Sequence, residues 1–514
     1  MPEEARLVHC ARKLNGLLAT IVDDTSSDFS ISWYDTARVV ALWSARPGGM
    51  PQALADNAVR ALLNGQNADG SWGYPQAAVT YRLVPTLSAV RTLSLLGHRA
   101  AAERGIGFLA GQLVHFAPER QPDTVAVELI MPDLLEALVA DGASPLAPAL
   151  DMQRSWLARL HGLRRRLTGD ARLPPPLWHS LEVLGPAAAA RASLVKGAMT
   201  CSPAATAAAL AWAPETSAEA EAFLTAEAAR YAGGWPTVAP VQFFEGAWVV
   251  SAMVQSRVPL EPGRAGRARD WLTTALRPEG AVPGYGLPPD ADDTACVLYA
   301  LAYLGASPDP SLLDRYERPG HFATFTVERT PSISTNAHVL RTLRAYGDPV
   351  RARTARDYLM ATQNDDGFWA DKWHASPYYA TSAATLALAC DPGTADRVTR
   401  TVRWLLDSQR EDGSWGVWHG TYEETAYALR ALLAADAPDT ATALRRGAAY
   451  LLAGCAADFP AEGRAPLWQG KELYEPRRIV LAFAYAALHA CGSAGVLGDG
   501  RVPLPRQYER SRHA

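Results

Sequence analysis

The sequence predicts an all-α fold of helical hairpins stacked into α/α toroids, and three observations predict it. Segments rich in Ala and Leu and long enough for helices, such as 375–389 and 421–435, recur along the chain. Short turns containing Gly, Pro and Asp separate them, while runs of alternating strand residues do not occur. A motif of the form Gln-x-x-Asp-Gly-x-Trp appears at Gln66–Trp72, Gln363–Trp369 and Gln409–Trp415. Each copy follows an apolar helical segment. Gly70, Gly367 and Gly413 are expected to form left-handed helix caps. The tryptophans are expected to pack on neighbouring helices, and the glutamines to bridge backbone groups between repeats. The step of 46 residues from Gln363 to Gln409 suits one hairpin with its loops.

The chain of 514 residues is long enough for two or more domains with large cores. It is 48% hydrophobic and 20% charged, the composition of an ordinary globular protein. A net charge of −4 gives no basic footprint, so nucleic acid is excluded as a partner. Six cysteines (Cys10, Cys201, Cys296, Cys390, Cys455, Cys491) form no CxxC pair, which argues against zinc and against a disulfide framework. The first residues do not read as a signal peptide. The apolar stretch 479–491 is too short for a bilayer. No integral membrane segment and a cytoplasmic location are expected.

Residues 290–294 read Asp-Ala-Asp-Asp-Thr. Asp290 after Pro288-Pro289 reads as a helix N-cap with acidic residues in the first turn. Asp290, Asp292 and Asp293 also read as a cluster whose mutual repulsion holds one carboxyl protonated at neutral pH. A protonated carboxyl of that kind can deliver a proton to an unactivated double bond.

The repeat resembles the QW motif of the triterpene and class II diterpene cyclase superfamily, and the resemblance runs over almost the whole chain. Ser32-Trp-Tyr-Asp-Thr-Ala37, Val127-Glu128-Leu-Ile-Met-Pro132, Trp178-His179-Ser-Leu-Glu182, Ser202-Pro-Ala-Ala-Thr-Ala207, Ala239-Pro-Val-Gln-Phe-Phe-Glu245, Asp290–Ala295 and Leu467-Trp-Gln-Gly-Lys-Glu-Leu-Tyr474 follow in the family's order. The chain is similar to class II diterpene cyclases of the copalyl diphosphate synthase type. The resemblance implies a βγ architecture of two helical barrels. The β domain comprises residues 1–30 and 243–514. The γ domain, 31–242, is inserted after the first β helix, and the site lies between them. Asp23–Asp28 has the wrong spacing for an ionising DDxxD site and is expected to be a solvated loop.

Carried over residue by residue, the family's general acid falls on Asp292, flanked by Asp290 and Asp293. His338, after Ser332-Ile-Ser-Thr335, takes the place of the group that hydrogen-bonds the acid. Trp373, Tyr378 and Tyr379 lie in a polar and aromatic cluster expected to border the site, where aromatic faces stabilise carbocations. Lys372, Lys471, Arg477 and Arg478 are the expected diphosphate-binding cations. They stand out because only four lysines occur, the others being Lys13 and Lys196. Glu128 matches a family glutamate implicated in binding Mg²⁺, the implied cofactor. His179 matches a histidine that holds the terminating water, and Thr237 stands where the family's asparagine is expected. The implied substrate is a prenyl diphosphate, geranylgeranyl first, converted to a bicyclic diphosphate such as copalyl diphosphate. Farnesyl diphosphate giving drimenyl diphosphate, a squalene-hopene-type reaction, and a non-catalytic α/α toroid are the alternatives. The sequence leaves the oligomeric state open.

Overall fold

The computed structural model describes residues 3–24, 26–115, 121, 124–167, 174–213, 217–328 and 330–497. Two closed rings of helices organise them. In the larger, the helices Gln242–Gln255, Ala291–Tyr303, Ile333–Ala345, Pro377–Leu388, Tyr422–Ala435 and Arg477–Ser493 each pack on the next, and the last packs on the first. Pro262–Thr273, Pro349–Thr362, Ala395–Asp407, Ala441–Ala456 and the N-terminal helix Glu3–Asp23 lie outside them. The smaller ring runs through Trp33–Ser44, Val79–Leu95, Val127–Ala140, Leu181–Leu184 and Pro203–Trp212, closing on itself.

Burial separates inner from outer helices. The inner Pro377–Leu388 is buried at every residue from Tyr378 to Leu388. The outer Ala395–Asp407 buries only Val398, Thr401, Val402 and Leu405, one stripe at helical spacing. A ring of inner helices can be apolar all round because outer helices cover its back. Three antiparallel two-residue hairpins, absent from the expected all-α picture, join helices of the larger ring: 276–277 with 280–281, 317–318 with 321–322, and 468–469 with 473–474.

The repeat is a structural staple. Gln66, Gln363 and Gln409 each donate to the glycine carbonyl of their own motif at 2.9–3.0 Å. Each also donates to a carbonyl of a following outer helix, at Ala101, Arg397 and Ala443. The indoles of Trp72, Trp369 and Trp415 donate back to Leu62, Leu359 and Leu405 at 2.7–2.9 Å. The glycines are not helix caps. Gln363 already leaves the helix in extended backbone, and Gly367 closes the turn that follows, donating to Asn364 at φ +98°. A Cβ on Gly70, Gly367 or Gly413 would meet a backbone carbonyl oxygen at 2.5–2.6 Å, so this close approach fixes glycine there.

A second device recurs beside it. The backbone N–H after each turn donates to a side chain in the first turns of an inner helix: Trp72 to Thr86, Trp369 to Thr381 and Trp415 to Thr425. Trp235, Ala281 and Phe322 do the same to Thr36, Thr294 and Asn336 without a complete sequence motif. Thr294 of the acidic motif is thus part of the scaffold. In the loop after Asp23 the three aspartate side chains are 44–57% exposed and lie beside arginines. Asp23 pairs with Arg267, Asp24 lies near Arg230 and Arg478, and Asp28 pairs with Arg477.

Candidate active site

The N-terminal turns of the inner helices meet at one end of the larger ring, and four of them are held by a side-chain cap. Asp290 accepts from Asp293 N–H at 2.8 Å, Ser332 from Thr335, Ser376 from Tyr378, and Thr421 from Glu424. Asp371 adds a second clamp on the Ile333–Ala345 helix. It accepts from Ile333 N–H at 3.0 Å and from Ser334 Oγ at 2.5 Å. These caps set the direction in which Asp292 and His338 project.

Asp290, Asp292 and Asp293 are all buried. Asp292 Oδ1 lies 2.6 Å from His338 Nδ1, and no cationic side chain pairs with the triplet among the described residues. Burial, reinforced by the charge of Asp292, holds the Asp290 carboxyl well above the usual carboxylate range. Burial and the charges of Asp290 and Asp292 raise Asp293 in the same way. The retained proton belongs to the set as a whole. The helix N-terminus also favours the carboxylate left once a proton departs.

Aromatic faces stand beside it. Trp248 meets His338 edge-on at 5.4 Å and donates its indole N–H to Tyr379 Oη at 3.1 Å. Tyr379 stacks on His374 at 4.9 Å and tilts against Trp468 at 4.8 Å. Of the three aromatics expected here, only Tyr379 joins this group. Tyr378, one residue along the helix, turns outward onto Trp404 at 4.7 Å, and Trp373 packs against Phe325 and the Lys372 ammonium.

Sequence reasoning missed the residue that organises these rings. Glu423 Oε1 accepts from Trp468 Nε1 at 2.7 Å, Tyr427 Oη at 2.8 Å and His374 Nε2 at 3.3 Å. Its other oxygen is buried without a partner. The signal was present: Thr421-Tyr-Glu-Glu-Thr425 has the same cap, acid and threonine order as Asp290-Ala-Asp-Asp-Thr294.

The four expected diphosphate cations are all paired with carboxylates. Lys471 has no exposed side-chain surface. It donates to Glu182 at 2.7 Å and Ser202 at 2.8 Å and lies 3.8 Å from Asp35. Lys372 pairs with Glu328 at 2.6 Å, Arg477 with Asp28 at 3.2 Å, and Arg478 with Glu245 at 3.5 Å. A cation inside a protein needs a partner, and here the chain itself provides each one. A diphosphate bound by any of these four would share or displace that partner.

The junction of the two rings gathers the remaining expected residues. Val125 N–H donates to Gly470 O, and a Cβ on Gly470 would lie 3.1 Å from Thr237 Oγ1. That hydroxyl is buried without a partner. His179 Nδ1 lies 3.0 Å from Thr200 O, which leaves Nε2 as the acceptor of a neutral ring. Burial and the Lys471 charge push its pKa down to about 3. Glu128 sits half-buried in the first helical turn after this junction and makes no side-chain hydrogen bond or ion pair among the described residues. One free carboxylate suits Mg²⁺, which takes one or two protein oxygens and completes its shell with phosphate and water. Asp292, Cys296 and His338 also bring ligand atoms within 4.8 Å of one another, but a thiol and an imidazole are poor Mg²⁺ ligands.

The whole places a proton-holding carboxylate set against an apolar, aromatic surface. Comparison with known proteins agrees with that class. A sequence profile described as the squalene-hopene cyclase C-terminal domain matches residues 321–460. The chain is 39% identical over 501 residues to the ent-copalyl diphosphate synthase of Streptomyces sp. (strain KO-3988), covering 91% of this chain and 94% of that one. It is 37% identical to the labda-7,13-dienyl diphosphate synthase of Streptomyces clavuligerus, covering 95% and 93%. The solved ent-copalyl diphosphate synthase from Streptomyces platensis matches with a TM-score of 0.82 at 36% identity, over 94% of this chain and 99% of that one. The chain belongs to the class II terpene cyclases, on the copalyl diphosphate synthase branch, and is an enzyme. No described helix is long and apolar enough to cross a membrane, and all six cysteines are free.

Proposed function

We propose that the enzyme cyclises geranylgeranyl diphosphate to a bicyclic, copalyl-type diphosphate by protonating the terminal double bond and retaining the diphosphate. The observation that carries this reading is the cation-free carboxylate triplet, with Asp292 bonded to His338 beside Trp248 and Tyr379. The set holds a proton at neutral pH, and Asp292 passes it to the terminal carbon of the alkene. His338, held by the capped Ile333–Ala345 helix, orients the carboxyl. The tertiary cations that follow are stabilised by aromatic faces, which attract positive charge without adding to it. His179 and Thr237 hold the group or water that takes the final proton. Glu128 is the protein ligand for Mg²⁺, which supplies charge neutralisation at the diphosphate. Residues 1–30 and 243–514 form a β domain carrying the acid, and 31–242 an inserted γ domain. The partition of helices into two rings supports that division.

The test is incubation with geranylgeranyl diphosphate, farnesyl diphosphate and squalene separately, with phosphatase treatment before the extract is analysed. A bicyclic alcohol from the C20 substrate, without release of inorganic diphosphate, is expected. Turnover of the C15 diphosphate alone moves the assignment to a drimenyl-type reaction. Turnover of squalene, or stoichiometric diphosphate release, overturns the reading. The two relatives carry different product names at nearly equal identity, so the ring double bond and stereochemistry are read from the product itself.

A further inference from the structure

The opposite end of the larger ring holds a feature the cyclisation does not use. A cavity of about 470 Å³ opens among the C-terminal ends of four inner helices, and Arg430 lines it. A narrow recess of about 20 Å³ continues inward from Gln255, Leu386 and Arg430 to Arg341 and His338. That volume suits about one water.

Arg430 is 5% exposed, and no carboxylate pairs with it or with Arg341 among the described residues. Its only hydrogen bond among the described residues is to the Gln255 side chain, and its guanidinium lies over the Phe483 ring. Arg341 lies over Tyr299. The Nε of both arginines and the hydroxyls of Ser251 and Ser382, all on the recess or its mouth, are buried without acceptors. Burial and the neighbouring Arg341 push the Arg430 guanidinium down to about 10, still cationic at neutral pH. The other buried cations among the described residues, Arg38, Arg82, Lys471 and Arg478, each lie within 4.0 Å of a carboxylate. Here, among the described residues, the buried Arg430 and the half-buried Arg341, each with its Nε unpartnered, and two unpartnered hydroxyls line one recess. The helix C-termini around the mouth attract cations, but that influence fades within the last turn. Arg430 lies more than a turn before the end of its helix at Ala435.

We propose that this cavity is a binding site for a phosphate-type oxyanion, seated against Arg430 at the mouth of the recess. Guanidinium binds phosphate oxygens in a planar fork, and an acceptor-rich dianion satisfies the surplus of donors. The site is separate from the one proposed for the substrate diphosphate. An anion there neutralises the field behind His338, one helical turn from Arg341, and so couples to the acid.

Isothermal titration of the full-length enzyme with inorganic phosphate, in buffer matched with chloride for ionic strength, tests this. It is run with and without a saturating unreactive prenyl thiolodiphosphate in the substrate site. Saturable binding of one phosphate per chain that survives the thiolodiphosphate is expected, weakened at least about tenfold in Arg430→Gln and Arg341→Gln. Arg430→Met should keep or raise the Tm in phosphate-free buffer, because it removes an uncompensated buried charge. Absence of saturable binding to the wild type overturns the proposal. So does phosphate binding that the thiolodiphosphate abolishes, or that both glutamine variants retain. A fall in Tm for Arg430→Met with phosphate binding intact assigns the arginine to structure instead. Failure of the thiolodiphosphate to bind tests the substrate reading alone.

Discussion

The first turns of the Trp33–Ser44 and Ala291–Tyr303 helices are built alike and do different things. In both, a capping side chain (Ser32, Asp290) accepts from the backbone of an aspartate three residues on (Asp35, Asp293). In both, the next residue is a threonine that accepts an N–H from another turn, Trp235 for Thr36 and Ala281 for Thr294. The surroundings differ. Asp35 lies 3.8 Å from Lys471, whose ammonium also holds Glu182, and Tyr34 occupies the position matching Asp292. The Asp290 turn has three carboxyls, no cation, and a histidine. A buried acid beside an ammonium is a strut. A buried acid beside other acids stores a proton. The Thr421–Thr425 turn is intermediate, with two acids and no cation, but Glu423 is tied to three donors.

If that contrast is right, Asp292→Ala removes the largest effect. Turnover should fall by at least ~10²–10⁴, the usual contribution of a general acid, while the circular dichroism spectrum stays native. Near-wild-type turnover by the folded variant ends the assignment. The strut should fail differently. Lys471→Ala leaves Glu182 and Asp35 buried without their cation and should cost about 3–5 kcal/mol of stability, read by denaturant unfolding. A folded Lys471→Ala protein of unchanged stability but raised KM would return the lysine to diphosphate binding.

The intermediate turn sharpens the comparison. Glu423→Ala leaves the donors of Trp468, Tyr427 and His374 unpaired and should cost about 1–3 kcal/mol. Glu423→Gln keeps an acceptor and should recover most of that stability. If both variants unfold at the wild-type denaturant concentration, Glu423 does not organise the aromatic wall.

Proton storage makes a pH prediction. Asp290 and Asp293 have raised pKa values when folded, so the native state binds more protons than the unfolded one above ~4. Their stabilising contribution is complete below that pH and is lost as pH rises through the folded values. Glu424, pushed up to about 7 by burial, acts in the same direction. Thermal unfolding of Asp293→Asn between pH ~4 and ~8 should therefore show a shallower loss of stability than wild type. An identical slope shows that Asp293 holds no extra proton. The smallest expected effect is on termination. His179→Ala and Thr237→Asn should change the product distribution more than the rate of substrate loss, because they lie away from the acid. Unchanged products at an unchanged rate from both place the base elsewhere.

The helical repeat and the acidic motif were legible because each is local: a periodicity and a run of like charges. Placing Asp292 and His338 together rested on motif order, and the 2.6 Å contact agrees with it. What could not be read locally was pairing. Lys471 meets Glu182, and Trp468 meets Glu423, across long stretches of sequence. A lysine in a motif segment reads the same whether it faces a ligand or a buried glutamate. Tyr378 and Tyr379 are likewise indistinguishable in sequence, and the 100° step of a helix sends one to the outer ring and the other to the acid. The sequence by itself determined which helices form and which side chains carry charge. Tertiary structure decided which charges are compensated, because the energy of a buried ion depends on groups that only the closed rings bring within a few ångströms.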